Sequence, residues 1–206
     1  MIWCTFRSIS TALSKCLSFV DDSLIFMEPY LDAYFYGPEN IFVKEPDPKF
    51  EEIVENFKKE STELASSKGI TGGFDVSKCT YKWVQEQLEG PHTGKKFICC
   101  REFAFSVMDF KQFLPKGYRS AFLIRHPQKV FPSWKKVFQF MMKLPLDEYQ
   151  LDELHSWMMP KGRGFKEMCE LIDHLEAQGE EVIIFDADDL LRDPKGILSA
   201  LFKAIG

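Results

Sequence analysis

The sequence lacks several features that would assign a function at sight. It has no Cys-x-x-Cys pair among its six cysteines, and its four histidines show no metal-ligand spacing. That excludes the familiar zinc modules and dithiol redox motifs. No apolar run is long enough to span a bilayer, and Arg7 interrupts the N-terminal apolar stretch too early for a signal-peptide core. There is no excess of basic charge: the net charge is −5 and the pI about 5.5, so a whole-domain footprint for nucleic acid is absent. Internal repeats, low-complexity tracts and linkers are also missing. These absences lead us to expect an intracellular, cytoplasmic protein with reduced core thiols and no bound metal.

What is present reads as one globular domain. The 206 residues are 45% hydrophobic and 28% charged, enough to build a sizeable core. Five short apolar runs recur: Ile2-Trp3-Cys4-Thr5-Phe6, Leu24-Ile25-Phe26-Met27, Phe97-Ile98-Cys99-Cys100, Ala121-Phe122-Leu123-Ile124 and Val182-Ile183-Ile184-Phe185. Helical spacing follows the first, through Ala12, Leu13, Cys16, Leu17 and Val20. Continuous apolar strands alternating with helices predict an α/β fold, a parallel sheet covered on both faces. A long segment, roughly residues 37–96, separates the second and third runs. Phe50, Ile53, Val54 and Phe57 predict one amphipathic helix there, and Cys79 or Thr80 with Trp83, Val84 and Leu88 another. Between them Lys68 to Gly73 reads as a loop. The segment is a helical insertion that could cover a site.

In parallel sheets ligands collect at the carboxyl ends of the strands. Four of the runs are followed there by charge: Arg7, Glu28, Arg101 and Arg125. Polar strand ends also arise simply from contact with water. Two of these positions belong to fuller motifs. Arg7-Ser8-Ile9-Ser10-Thr11 lies between a strand and a helix, where unpaired amides and the helix dipole favour phosphate or sulfate. Ordinary N-capping by Ser8 or Ser10 is the alternative. The segment lacks both glycines and the closing Lys-Ser/Thr of a Walker loop, which argues against an ordinary ATPase or GTPase. Arg125-His126-Pro127 follows the fourth run, with Ser133 eight residues after Arg125 at a helix expected near Phe131 to Val137. That spacing offers a guanidinium fork and a hydroxyl to a second anion.

These motifs resemble those of sulfotransferases. Phe6 to Thr11 is similar to the family's 5′-phosphosulfate loop, commonly Pro-Arg/Lys-Ser-Gly-Thr/Ser-Thr. Ile124 to Ser133 resembles its 3′-phosphate motif, Arg-x-Pro followed by Ser at the same spacing. Phe185 to Pro194 looks like its late Tyr-Glu-Asp-Leu…Asp-Pro segment. The resemblance covers nearly the whole chain, with the motifs in the family's order. It implies a single sulfotransferase-like domain over residues 1–206, of P-loop-like type, with strand order 2-3-1-4-5. It implies that Arg7, Ser8, Ile9, Ser10 and Thr11 hold the 5′-phosphosulfate of 3′-phosphoadenosine 5′-phosphosulfate (PAPS), and that Arg125 and Ser133 hold its 3′-phosphate. Adenosine 3′,5′-bisphosphate would be the product, and a small molecule or carbohydrate the acceptor.

Glu28 is similar in place to the catalytic glutamate of the carbohydrate-type enzymes, and Glu102 stands near the base of the cytosolic branch as a second candidate. Arg7 would stabilise charge on the bridging oxygen. A structural pairing of Glu28 with Arg7 or Lys44 is the competing expectation. Phe6 and Ile9 depart from the family's Pro and Gly, and a β-branched Ile9 resists the positive φ that Gly permits. Family members usually continue past the last expected helix, so a chain ending at Ala204-Ile205-Gly206 is expected to be a fragment or a short form. A non-catalytic anion-binding protein of the same fold, and a small-molecule kinase with a degenerate phosphate loop, are the rival functions.

Overall fold

The computed structural model describes residues 1–39, 75–142, 162 and 164–206, with five isolated positions between 48 and 59. The chain alternates strands and helices: β1 (Ile2–Cys4), α1 (Ser10–Leu17), β2 (Ser23–Met27), α2 (Pro29–Tyr36), α3 (Tyr81–Glu89), β3 (Phe97–Phe103), β4 (Ser120–Ile124), α4 (Pro127–Met142), α5 (Phe165–Ala177), β5 (Val182–Asp186), α6 (Ala187–Arg192) and α7 (Pro194–Ile205). The five strands form one sheet in the order β2-β3-β1-β4-β5, every pairing parallel. The expected fold class and strand order are both present.

Two apolar layers follow from the period-2 alternation of strand side chains. Ile2, Cys4, Cys99, Phe103, Ala121, Leu123 and Phe185 face Leu13 and Leu17 of α1, Leu190 of α6 and Leu201 of α7. Trp3, Cys100 and Phe122 face the other way, onto Tyr30 of α2, Tyr81, Val84 and Leu88 of α3, and Met168, Leu171 and Leu175 of α5. Covering on both faces explains why the strands read as unbroken apolar runs.

α3 confirms the second helix expected in the long insertion. Thr80 starts it by accepting the Trp83 amide at 3.1 Å. The first expected helix, on Phe50, Ile53, Val54 and Phe57, lies outside the described residues, as does the loop of residues 68–73. All six cysteines are free thiols, but only four belong to the interior; Cys16 on α1 and Cys169 on α5 are exposed. Among the described residues no helix is long and apolar enough to cross a membrane.

Two boundaries differ from the sequence expectation. β3 runs on through Arg101, Glu102 and Phe103 instead of stopping at Cys100. α4 begins at Pro127, not near Phe131, and carries Pro132 inside. Pro127 suits the first helical position, where no N–H bond is needed. His126 serves as the cap, its carbonyl accepting the amides of Lys129 and Val130 at 2.9 and 3.2 Å.

The order of connections places the switch point between β1 and β4. From β1 the chain moves toward β2; from β4 it moves the opposite way, to β5. Loops leaving two such strands diverge and open a crevice above their carboxyl ends. Arg7 and Arg125 stand on either side of that opening.

Candidate functional site

The β1–α1 loop is fixed by its side chains rather than by glycine. Phe6 packs its ring against Phe103, Trp134 and Phe105, with centroids 4.3, 4.5 and 5.3 Å away. Phe6 is thus an aromatic anchor for the loop. Ser8 is fully buried and donates its hydroxyl to the Thr5 carbonyl at 2.8 Å, so it turns inward. Ser10 is buried and Thr11 exposed. Ile9 occupies the N-cap of α1, has no capping side chain to offer, and no acidic residue lies in the first turn. That turn keeps the unneutralised positive end of a helix.

Ile9 does adopt the conformation its side chain resists. Its φ is 63° and ψ 12°, and Arg7 also has φ of 61°. A left-handed conformation costs a non-glycine residue about 1–2 kcal/mol. The second motif supplies the restraint. Arg125 donates from Nη1 to the Arg7 carbonyl at 2.7 Å, and Arg7 donates from Nε to the Ser133 hydroxyl at 2.9 Å. Arg7, Arg125 and Ser133 therefore meet, although more than a hundred residues separate the motifs. Arg125 Nε is buried with no acceptor among the described residues.

Across β1, the end of β3 organises Glu28. The Glu28 amide donates to the Arg101 carbonyl at 2.9 Å, and the Glu28 carboxylate is ion-paired with the Arg101 guanidinium. The Arg101 side chain is 3% exposed and that of Glu28 31%, so the guanidinium is buried at the end of β3 while the carboxylate stays partly accessible. Arg101 also lies over the Phe103 ring, 5.3 Å from its centroid. Glu28 too is left-handed, with φ of 56°. The sequence suggested Arg7 or Lys44 as its structural partner. Arg101 takes that role because β3 continues three residues past the apolar run.

Glu102 is placed differently from a general base. It is fully buried, and its carboxylate accepts the amides of Tyr30 and Leu31 at 2.6 and 3.3 Å and of Phe103 at 2.8 Å. It caps α2 from a neighbouring strand, which leaves the Glu28 side chain free to reach Arg101. Burial pushes the Glu102 carboxyl up to about 8; its amide bonds oppose that rise, and the nearby Glu28 charge adds to it. Burial, reinforced by Glu28, likewise raises Asp32, one turn into α2, to about 6.

No protein-family model matches this chain, and no curated protein is significantly similar to it. The site therefore rests on its own geometry. A cavity of about 680 Å³ opens at the opposite, amino edge of the sheet, lined among others by Ile98, Tyr118, Arg119 and Phe202. None of the carboxyl-edge residues lines it.

Sequence reasoning named Arg101 as a strand-end charge but missed its pairing; the adjacent Arg101-Glu102 dipeptide was the available signal. It also missed Lys129 of α4, ion-paired with Asp188 of α6 at 2.7 Å beside the Arg125 strand end.

Two outcomes follow from these geometries. At an ordinary position Gly is less stable than Ala, but at position 9 the order should invert. Urea unfolding should find Ile9→Gly more stable than Ile9→Ala by about 1 kcal/mol; the opposite order would place Ile9 outside the left-handed region. Glu102 keeps its proton in the fold to about pH 8, while an unfolded chain loses it near 4.5. Its contribution therefore declines as pH rises through that window. Unfolding free energies between pH 5 and 8 should fall more steeply for the parent than for Glu102→Gln, which cannot ionise. Parallel slopes would count against a raised Glu102.

Proposed function

We propose that this protein is a sulfotransferase that moves a sulfonyl group from PAPS to a hydroxyl or amine of an acceptor. The observation that carries the reading is the convergence of Arg7, Arg125 and Ser133 at the β1–β4 switch point. Two anion motifs, each weak alone, share one hydrogen-bonded cluster there. The residues suit the nucleotide: the uncapped first turn of α1 and Thr11 offer amide and hydroxyl donors to a 5′-phosphosulfate. Arg125 offers its half-buried guanidinium at the end of β4 to a 3′-phosphate. Six free thiols suit a reducing, cytoplasmic setting.

In this reading Glu28 is the base. Its carboxylate is partly exposed at the same sheet edge, beside the Arg101 guanidinium. As the acceptor oxygen or nitrogen attacks sulfur, its proton passes to Glu28 and the sulfur–oxygen bond to the nucleotide breaks. The electron pair leaves on the bridging oxygen, where Arg7 and the loop amides stabilise the charge. Positioning and electrostatics supply the catalysis, and no covalent intermediate forms on the protein. Glu102, occupied in capping α2, is not assigned a catalytic role.

Two observations favour a second reading. Glu28 and Arg101 neutralise each other, and Ile9 brings a side chain to the turn where a glycine would give the closest approach. A non-catalytic anion-binding protein of the same fold would tolerate both. Calorimetry with PAPS, adenosine 3′,5′-bisphosphate and ATP-Mg separates the candidates. Binding of the first two without ATP supports the sulfotransferase site, and turnover of PAPS with a screened phenol, sterol or sugar then separates enzyme from binder. Preference for ATP-Mg would sink the reading in favour of a kinase.

Arg125→Ala should weaken the bisphosphate by about 1.5–3 kcal/mol, since a charged hydrogen bond is lost. Arg125 also holds the Arg7 carbonyl, so adenosine 5′-phosphate should weaken too, but less. Equal losses would show that Arg125 acts only by bracing the loop.

A further inference from the structure

The carboxyl ends of β4 and β5 lie side by side, with Ile124 opposite Asp186. Arg125 follows β4 directly, and Lys129 lies four residues on, in the first turn of α4. Lys129 Nζ donates to Asp188 Oδ2 at 2.7 Å, joining α4 to α6 across the notch. This carboxylate is not the helix cap. Asp186 does that work, accepting the amides of Asp188 and Asp189 at 2.6 and 3.3 Å. Nor does Asp188 neutralise Arg192, which is paired with Asp189 at 2.8 Å. Asp188 thus gives its charge to Lys129, four residues past Arg125. The Lys129 hydrogen bond, with the fields of Arg125 and Arg192, holds its carboxyl below the usual range.

We propose that Lys129 and Arg125 form one pocket for a phosphate monoester, and that Asp188 is its resident counter-anion, displaced when the phosphate enters. The inference rests on the reading that Arg125 marks the 3′-phosphate end of the nucleotide site. A dianionic phosphate offers three acceptor oxygens to an ammonium and a guanidinium together, and outcompetes a single carboxylate. A monoanion has no such advantage. Asp188 therefore sets a threshold that favours a phosphate dianion over carboxylates and sulfate esters. Both side chains are accessible, 54% exposed for Lys129 and 26% for Asp188, so an exchange of partners needs no movement of the core.

Asp188→Asn and Lys129→Ala test this by calorimetry with adenosine 3′,5′-bisphosphate and by the thermal upshift produced by inorganic phosphate. Asp188→Asn should tighten the bisphosphate roughly three- to tenfold, and Lys129→Ala should weaken it by a similar factor. The double variant should fall between Lys129→Ala and the parent, because removing Asp188 also relieves its opposition to a phosphate held by Arg125. Adenosine 5′-phosphate should sense none of these changes, and the phosphate upshifts should follow the same order. Unchanged or weaker bisphosphate binding by Asp188→Asn overturns the inference while leaving the nucleotide reading intact. Phosphate upshifts in the expected order, with no bisphosphate binding by any variant, support the pocket and overturn the nucleotide reading. No response of any variant to either anion overturns both.

Discussion

The hydrogen bond from Arg125 to the Arg7 carbonyl is the constraint on which the site depends. It holds backbone that this sequence would not choose locally. Arg7 and Ile9 both lie in the left-handed region, at about 1–2 kcal/mol each. A bond from a charged donor contributes about 1.5–3 kcal/mol, enough to offset much of that. Arg7 returns the connection through Ser133, and Phe6 anchors the loop in the Phe103–Phe105–Trp134 cluster. The turn is therefore shaped by tertiary contacts, and its conformation is coupled to the residues that would meet the second anion. Strain at a ligand-facing turn persists only where surrounding contacts over-determine it.

The end of β3 performs the same service for Glu28. Arg101 fixes its backbone and its carboxylate, while Glu102 supplies the cap that Glu28 would otherwise provide for α2. Successive strand residues point to opposite faces, so adjacent charges can serve two helical layers at once. One faces the layer of α1 and meets the partly exposed Glu28 carboxylate; the other faces the layer of α2; both are buried. Their different surroundings give two neighbouring glutamates different parts, one accessible and one structural.

Much of this was legible in the sequence because the fold is built from continuous apolar strands. All five runs became strands, and the parallel order expected from the sulfotransferase resemblance is the order found. The positions of Arg7, Glu28 and Arg125 along one edge follow directly, since parallel strands bring their ends together. What the sequence hid were contacts between distant elements. Arg101 looked like the end of a strand, because charge normally stops an apolar run; its partner Glu28, directly after β2, lets the strand continue. Ile9 argued against a positive φ on local grounds, and the Arg125 bond that stabilises the loop comes from more than a hundred residues away. Lys129 carried no motif, and Asp188 lay within the Phe185 to Pro194 segment with no partner to single it out; a surface lysine and an acidic helix start are ordinary until a structure places them together.

A crystal structure with adenosine 3′,5′-bisphosphate tests most directly the claim that the two motifs form one site. The account predicts a 5′-phosphate against the first turn of α1 and a 3′-phosphate on Arg125, with the nucleotide spanning the β1–β4 opening. A nucleotide seated instead in the amino-edge cavity beside Tyr118 and Phe202, with the Arg7–Arg125–Ser133 cluster untouched, would contradict it.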